Sequence, residues 1–461
     1  MIGTRVSRDL IIERLGSGGM GVVYKAQAFL RFSARSCSHP FLGEMMIGKT
    51  AARVTLVGSI VSFLAVGLLA AGQAASSAPT ITWPTKGWPK GTPASVGLDE
   101  KSLTDFDADI ASGKYTMTDS FLIFRCGTEV FARQYRHDYG QVYAKEGKTK
   151  GPLNARLTGR YNYFDTEWHP FYHGTDLHTM QSVSKTVTSI IFGVAITRGD
   201  FKAALNTPVL KYFDVAKVKN VDDRKRHMTI ENLLTMTSGM NTEELYYPLN
   251  SDVPENDVVH MEAADNWVQY AIDEPIVEEP GKNFVYSSAT TELLAYVFQK
   301  ETGQDIDAYG EKYLFAPLGI RHYWKRDYVG TADTEGGLYL NDEDLAKIGF
   351  LYLNNGVWEG KQIVSEDWVK QSVAPHIPMP YTVEGGRLYW GFNWWLVPVS
   401  GKYTWMASGW GGQTLLVFPQ QKLIVVFTGW DLSNEADITL LVPRLLPAVK
   451  AAACSGTAQG K

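Results

Sequence analysis

Leu177 to Gly199 reads LHTMQSVSKTVTSIIFGVAITRG. From Thr186 to Thr197 its apolar residues recur at helical spacing, and Ser182-Val183-Ser184-Lys185 stands where that helix begins. With the helix starting at Ser182, the serine and Lys185 lie one turn apart on one face. The hydroxyl then sits at the positive helix end, where a developing alkoxide is stabilised. Lys185, desolvated by the apolar face, is expected to have a lowered pKa and to accept a proton. Serine nucleophile plus lysine base is the S-x-x-K arrangement. Taken alone the pattern is cheap, because it also describes a serine cap with a lysine reaching to solvent.

Two further motifs follow in order. Tyr286-Ser287-Ser288 lies within PGKNFVYSSATTELLAYVFQKETG, residues 280–303. Pro280-Gly281 makes a turn, Phe284 to Tyr286 is extended, and a helix is expected from about Ser288. The tyrosine hydroxyl is thereby presented at a helix start. A phenol beside an ammonium can ionise and serve as general base. The third motif is Ser408-Gly409-Trp410-Gly411-Gly412-Gln413, followed by the apolar strand TLLVF. Glycines in a strand let a ligand or another backbone approach, and such a strand can offer an N–H to an oxyanion. A half-buried tyrosine with a serine cap, and a β-bulge with structural glycines, are the plainer readings of these two.

The remaining pattern describes an α+β fold. Phe121 to Phe131 reads as a hairpin turning at Cys126-Gly127-Thr128. Helical periodicity recurs at Ile230–Thr237, Met261–Ile272, Thr291–Thr302 and Asp342–Asn354. Trp390–Val397, Thr404–Ser408, Thr414–Phe418 and Leu423–Thr428 read as successive strands, and Ile438–Ala453 as a closing helix. Strands at both ends with helices between predict an antiparallel sheet flanked by helices, with an all-helical subdomain.

The chain has 461 residues, 45% hydrophobic and 20% charged, the balance of a folded protein. Its 44 Lys plus Arg against 49 Asp plus Glu give a net charge of −5, which argues against nucleic-acid binding. Three cysteines cannot staple a chain of this length. No H-E-x-x-H and no cysteine pair at zinc spacing occurs, so no metal and no cofactor are expected. His169, His173 and His178 are read as loop or supporting residues.

Val54–Ala71 reads VTLVGSIVSFLAVGLLAA, preceded by Lys49 and Arg53 and followed by small residues. That describes an export signal, or a membrane anchor given the length of the run. Residues 45–78 are therefore expected to direct the chain to the periplasm or out of the cell. Export would put Cys126 and Cys454 in an oxidising compartment, where a disulfide between the first hairpin and the last helix is conceivable, although the spacing does not demand it. Ahead of this, Ile11–Ala26 reads IIERLGSGGMGVVYKA, with Gly16, Gly18 and Gly21 as G-x-G-x-x-G. It resembles the first two strands of a bacterial Ser/Thr kinase, but no H-R-D or D-F-G motif follows. Residues 1–44 are read as a kinase-like fragment, too small to bury a core, and residues 79–461 as the functional domain.

The three motifs together resemble the serine β-lactamase and penicillin-binding-protein superfamily, on the class C branch. The resemblance spans about residues 95–450 and includes DDRKRHMTIENLLTMTSGM, EGGLYLNDEDLAKIGFLYLNNGVWEGKQIVSEDWV and SGWGGQTLLVFPQQKLIVVFTG. It is nearest in kind to 6-aminohexanoate-dimer hydrolases and β-lactamase-like carboxylesterases. The resemblance implies Ser182 as the acylated nucleophile and Lys185 with Tyr286 as the base. It implies an oxyanion hole from the N–H groups of Ser182 and Gln413, and Ser288, Trp410, Gly411 and Gly412 toward substrate. Ser288 stands where class C β-lactamases carry Asn, and Trp410-Gly411-Gly412 where they carry Lys-Thr-Gly. Without that lysine nothing holds a substrate carboxylate, which favours an ester or amide over β-lactams or D-Ala-D-Ala peptides. A cell-wall carboxypeptidase or β-lactamase remains the alternative chemistry, and a catalytically silent binding protein the alternative class. Tyr246-Tyr247-Pro248 and the run Tyr389–Trp395 could line an apolar acyl pocket, or the latter could be plain sheet packing.

Overall fold

In the computed structural model, the described residues are the strands Arg5–Val6, Asp9–Gly18 and Gly21–Ala28, and residues 81–454 apart from 116, 136, 149–158, 160–161, 166–174, 243, 245–256, 384, 432–444 and 451–453. The chain divides into two units, Met1–Ala74 and Ala75–Lys461. In the first, Asp9–Gly18 pairs antiparallel with Gly21–Ala28 and with Arg5–Val6. This hairpin is the kinase-like stretch. The expected signal or anchor, residues 54–71, lies outside the described residues. Among the described residues no helix is long and apolar enough to cross a membrane.

The second unit is built on an eight-stranded sheet. In spatial order its strands are Ile377–Val383, Gly386–Trp390, Trp395–Val399, Lys402–Gly409, Gln413–Phe418, Leu423–Gly429, Thr118–Arg125 and Thr128–Gln134. Every neighbouring pair is antiparallel. The hairpin of Thr118–Arg125 and Thr128–Gln134 thus completes the edge of a sheet made from the chain's C-terminal strands, with Val425 opposite Ile123 and Phe427 opposite Phe121.

Both faces of the sheet's central strands are covered, so Gln413–Phe418 and Leu423–Gly429 are buried throughout and read as mainly apolar runs rather than alternating ones. The period-2 rule then divides each strand between two cores. Leu122, Phe124, Leu415, Val417, Ile424 and Val426 join the core that holds the helices Val183–Arg198 and Asp342–Leu353. Phe121, Ile123, Leu416, Phe418, Val425 and Phe427 pack on the other side against Leu103, Phe106 and Ile110 of the helix Glu100–Ala111. The helical subdomain contributes Ile230, Leu233, Met261, Trp267, Leu293 and Phe298 to the first core.

Several local expectations are corrected. Met261–Ile272 is not one helix but the end of Asp257–Ala263 and most of Trp267–Asp273. Asn266 separates them, because its side chain accepts from the Gln269 N–H and caps the second helix. Trp390–Val397 is not one strand. It breaks after Trp390 and resumes at Trp395, with Asn393 at a φ of 58° between. Of the closing helix, residues 438–444 and 451–453 lie outside the described residues. What is described there is Leu445, in helical conformation, and the 3-10 turn Leu446–Ala448 with Pro447 inside it.

Cys126 and Cys454 are joined by a disulfide, with Cα atoms 6.0 Å apart. His178 Nε2 lies 2.9 Å from Asp119 Oδ2 and ties the entry to the Val183–Arg198 helix to the central sheet. His169 and His173 lie outside the described residues.

Candidate active site

Ser182 sits in the N-cap position of the helix Val183–Arg198, with φ −60° and ψ −7°, and its side chain makes no capping bond. The hydroxyl is instead the acceptor of the Lys185 ammonium, Nζ to Oγ 3.1 Å. Its placement comes from the turn before it. Gln181 adopts a φ of 47°, a left-handed conformation costly for a side chain of that size. The Met180 N–H donates to the Leu338 carbonyl at 2.8 Å, and the Leu338 N–H donates to Ser184 Oγ at 3.1 Å. The serine is held at the head of a helix buried along most of its length.

Lys185 is 1% exposed. Besides Ser182 it donates to the Glu335 carbonyl at 2.7 Å and lies 3.5 Å from Glu335 Oε2. Its Nζ is 5.2 Å from the centre of the Tyr286 ring. Burial pulls the lysine pKa down, but Tyr286, Glu335 and Glu244 together pull it up further, and it stands above the ordinary lysine value. The expectation of a lowered lysine pKa is therefore corrected: desolvation is present, and neighbouring negative charge outweighs it. Lys185 is an ammonium with acceptors for its protons.

Tyr286 is buried within a cluster of Met236, Met379, Leu388 and Trp390. Trp390 stands edge-on to it at 5.7 Å between ring centres, and Trp395 lies at 6.2 Å. Burial raises the phenol's pKa; the charge of Lys185 and hydrogen bonding with Ser182 pull it back part of the way. Ser182, Lys185 and Tyr286, which the sequence spreads over a hundred positions, thus form one interacting group. Of the aromatic run, Trp390 and Trp395 brace Tyr286, whereas Phe392 and Trp394 are core residues. The proposed lid Tyr246-Tyr247-Pro248 lies outside the described residues.

Ser288 is corrected. It is 2% exposed, its hydroxyl donates to Glu335 Oε2 at 3.2 Å, and its N–H donates to Glu244 Oε1 at 2.6 Å. It is tied to the carboxylates behind Lys185 and is not open to a substrate. Glu244 is pushed up to about 7, chiefly by burial, with Lys185 and the Ser288 amide opposing. Glu244 and Glu335 are functional candidates that the motif reading passed over. Glu335 opens the EGGLYLN stretch that carried part of the resemblance, but acidic residues without a motif role gave no signal of pointing inward.

The third motif is a hairpin corner rather than a strand interior. Lys402–Gly409 ends at Gly409, Gln413–Phe418 begins opposite it, and Gly409 pairs with Gln413. Gly411 and Gly412 make the turn with φ of 89° and 106°. The corner lies against the turn that leads into Ser182: a Cβ on Gly409 would sit 2.3 Å from the Met180 carbonyl and 3.0 Å from Gln181 Cβ. Gln413 is fully buried, and its Nε2 donates to the Trp410 carbonyl at 3.1 Å, closing the corner. Trp410 is half-buried and stands at 90° to Trp430, 5.6 Å between ring centres. A helix head whose hydroxyl is not spent on capping, an ammonium and phenol beside it, and a glycine corner facing it can together run acyl transfer.

Among the described residues, Glu262, Asp333 and Glu335 could also hold a metal ion, with ligand atoms within 4.8 Å of one another. Lys325 already supplies positive charge there, 3.0 Å from Asp333 Oδ2.

This fold and site define a class of β-lactamase-like, penicillin-binding-protein-like proteins. The Beta-lactamase family model matches residues 119–438, and the chain belongs to that family. It is 25% identical over 360 residues to the 6-aminohexanoate-dimer hydrolase of Paenarthrobacter ureafaciens, covering 72% of this chain and 80% of that protein. A monacolin J acid methylbutanoyltransferase of Aspergillus terreus is 30% identical over 114 residues, but this is 24% of this chain and 27% of that one. Among solved structures, the fold is shared with an octameric penicillin-binding protein homologue from Pyrococcus abyssi, at a TM-score of 0.53 and 19% identity over 75% of this chain and 78% of that one. It is likewise shared with EstCE1, a hydrolase with promiscuous acyltransferase activity, at a TM-score of 0.54 and 15% identity over 78% of this chain and all of that one.

Proposed function

We propose that the protein is an exported serine hydrolase that cleaves an ester or amide through an acyl-enzyme on Ser182. The observation that carries this is the Lys185–Ser182 bond of 3.1 Å on a serine that is not used as a cap. In the resting site the serine, the phenol and the ammonium all hold protons, so one proton leaves the Lys185–Tyr286 pair before attack. Tyr286 then takes the Ser182 proton as Oγ bonds to the substrate carbonyl carbon. The N–H groups of Ser182 and Gln413, at the helix head and the glycine corner, receive the developing oxyanion. As the bond to the leaving group breaks, Tyr286 returns the proton to it. Water repeats the sequence and frees the acid.

The substrate class follows from what is missing. Trp410 occupies the corner, and its motif has no cation to hold a carboxylate, so a neutral ester or amide is favoured over a β-lactam. The dimer-hydrolase and hydrolase relatives support amide and ester chemistry. The Cys126–Cys454 disulfide supports export, because such bonds persist in oxidising compartments. The catalytic domain is assigned to residues 79–461, with 45–78 as signal or anchor.

The test is a panel of short-chain p-nitrophenyl esters, linear amide dimers and nitrocefin. Ester or amide turnover is expected to exceed nitrocefin turnover widely. Ser182→Ala should abolish both turnover and fluorophosphonate labelling; near-normal hydrolysis by that variant would end the acyl-enzyme reading. Lys185→Ala and Tyr286→Phe should each cost about 10²-fold or more, and the double variant little more than the worse single, because the groups act as a unit.

A further inference from the structure

Asp333–Gly337 lies mostly within the EGGLYLN stretch, and the proton-transfer steps above do not use its side chains. It is a tight turn. The Gly337 N–H donates to the Asp333 carbonyl at 3.0 Å, and the Gly336 N–H to Asp333 Oδ1 at 3.0 Å. A Cβ on Gly337 would lie 2.6 Å from the Asp333 Cβ, so the turn requires glycine there. Glu292, from the helix Ser288–Thr302, grips the turn from behind. Its Oε1 accepts from the Thr334 N–H at 2.8 Å and the Glu335 N–H at 3.0 Å.

Held this way, the turn meets Lys185 twice through one residue. The Glu335 carbonyl accepts from Nζ at 2.7 Å, and Oε2 lies 3.5 Å from it. Ser288 Oγ donates to that same Oε2 at 3.2 Å, which orients the carboxylate. Behind it stand Glu262 and Asp333, with Lys325 3.0 Å from Asp333 Oδ2 and 3.9 Å from Glu262 Oε1. Glu262 is held well above the usual carboxyl range, by burial first and then by Glu335 and Asp333 against the pull of Lys325.

We propose that Glu335 is a positioning residue for proton transfer: its carbonyl and carboxylate hold Lys185 against Ser182 as an ammonium, leaving Tyr286 to take the serine proton. The proposal rests on the Ser182, Lys185 and Tyr286 reading. The groups that face Lys185 are Ser182, Tyr286, Glu335 and Glu244, and Glu335 is the one that touches it with both backbone and side chain.

The experiment uses the full chain and p-nitrophenyl butyrate. Glu335→Gln keeps the shape and the backbone contact and removes the charge. It should lower kcat at least about tenfold with KM within about twofold. Losing an anion lowers the pKa of the ammonium and phenol beside it, so the acidic limb of kcat/KM against pH should move down by about one unit. Glu335→Asp, which keeps the charge on a shorter arm, should lower kcat while leaving the limb in place. If Glu335→Gln melts too low to assay, the Asp variant decides alone, and wild-type kcat in it overturns the proposal. An unmoved limb in Glu335→Gln also overturns it, whatever happens to kcat, because a purely structural role would cost rate without moving that limb. Ser182→Ala is run alongside. A dead Ser182→Ala with an unaltered Glu335→Gln removes the positioning role alone; an active Ser182→Ala removes the mechanism beneath it.

Discussion

Glu244 puts a carboxyl into the interior with the Ser288 N–H as its donor at 2.6 Å, and burial moves it up to about 7. A carboxyl raised in the folded state favours folding fully below its unfolded pKa, and that contribution is lost as pH rises through the folded value. Between roughly pH 4.3 and 7 the folded protein therefore holds a proton here that the unfolded chain has released. Glu244→Gln keeps an oxygen for the Ser288 amide and cannot ionise. Its melting temperature is expected to match the parent at pH 4 and exceed it at pH 9, by a margin on the order of 1–3 kcal/mol. A margin independent of pH, followed by calorimetry, would count against an ionising Glu244. At this scale the sequence motif located Ser182, Lys185 and Tyr286, but the sign of the lysine shift depended on carboxylates at positions 244 and 335. No local pattern announces that those two turn inward.

At the scale of elements, the glycine corner and the turn before Ser182 are one device. Gln181 pays backbone strain at φ 47°, and Gly409 leaves room for the Met180 carbonyl beside it. Gly409→Ala would place a Cβ 2.3 Å from that oxygen, closer than atoms tolerate, with no flexible side chain there to yield. One of the two segments must shift. A displacement near 1 Å costs about 10²-fold in rate, so kcat/KM and the rate of fluorophosphonate labelling should fall together. Unchanged labelling would show that the corner does not hold the serine. The sequence marked these glycines as a strand feature. The positive φ values of Gly411 and Gly412 identify a turn, and the choice between the two depends on where the partner strand ends.

For the whole molecule, the disulfide joins the turn of the first hairpin to the C-terminal segment across 328 residues. It adds to the backbone bonds that hold the end of the chain, in which the Asp99 N–H donates to the Ala448 carbonyl at 2.7 Å and the Lys450 N–H to the Gly97 carbonyl at 2.9 Å. Cys454→Ser is expected to lower stability by about 2–4 kcal/mol in oxidising buffer and to leave kcat unchanged, because Cys126 follows the end of Thr118–Arg125 that lies away from the Gly409–Gln413 corner. Equal melting temperatures for the variant and the parent, with and without reductant, would mean that the bond contributes nothing.

The sequence alone determined the α+β class and picked out Ser182, Lys185 and Tyr286, which the structure brings together. Those depend on local period, on turn chemistry and on spacing along one helix, all of which are written within a few neighbouring residues. The split of Met261–Ile272 by Asn266, and of the Trp390–Val397 strand at Asn393, needed the tertiary structure, because a cap or a left-handed residue interrupts a run whose hydrophobicity continues. Tertiary structure also decided that Ser182 is uncapped, that Lys185 stays charged and that Ser288 turns toward Glu335. The last two depend on groups far apart in sequence, 150 residues for Lys185 and Glu335 and 47 for Ser288 and Glu335, meeting in a buried interior where desolvation and nearby charge compete.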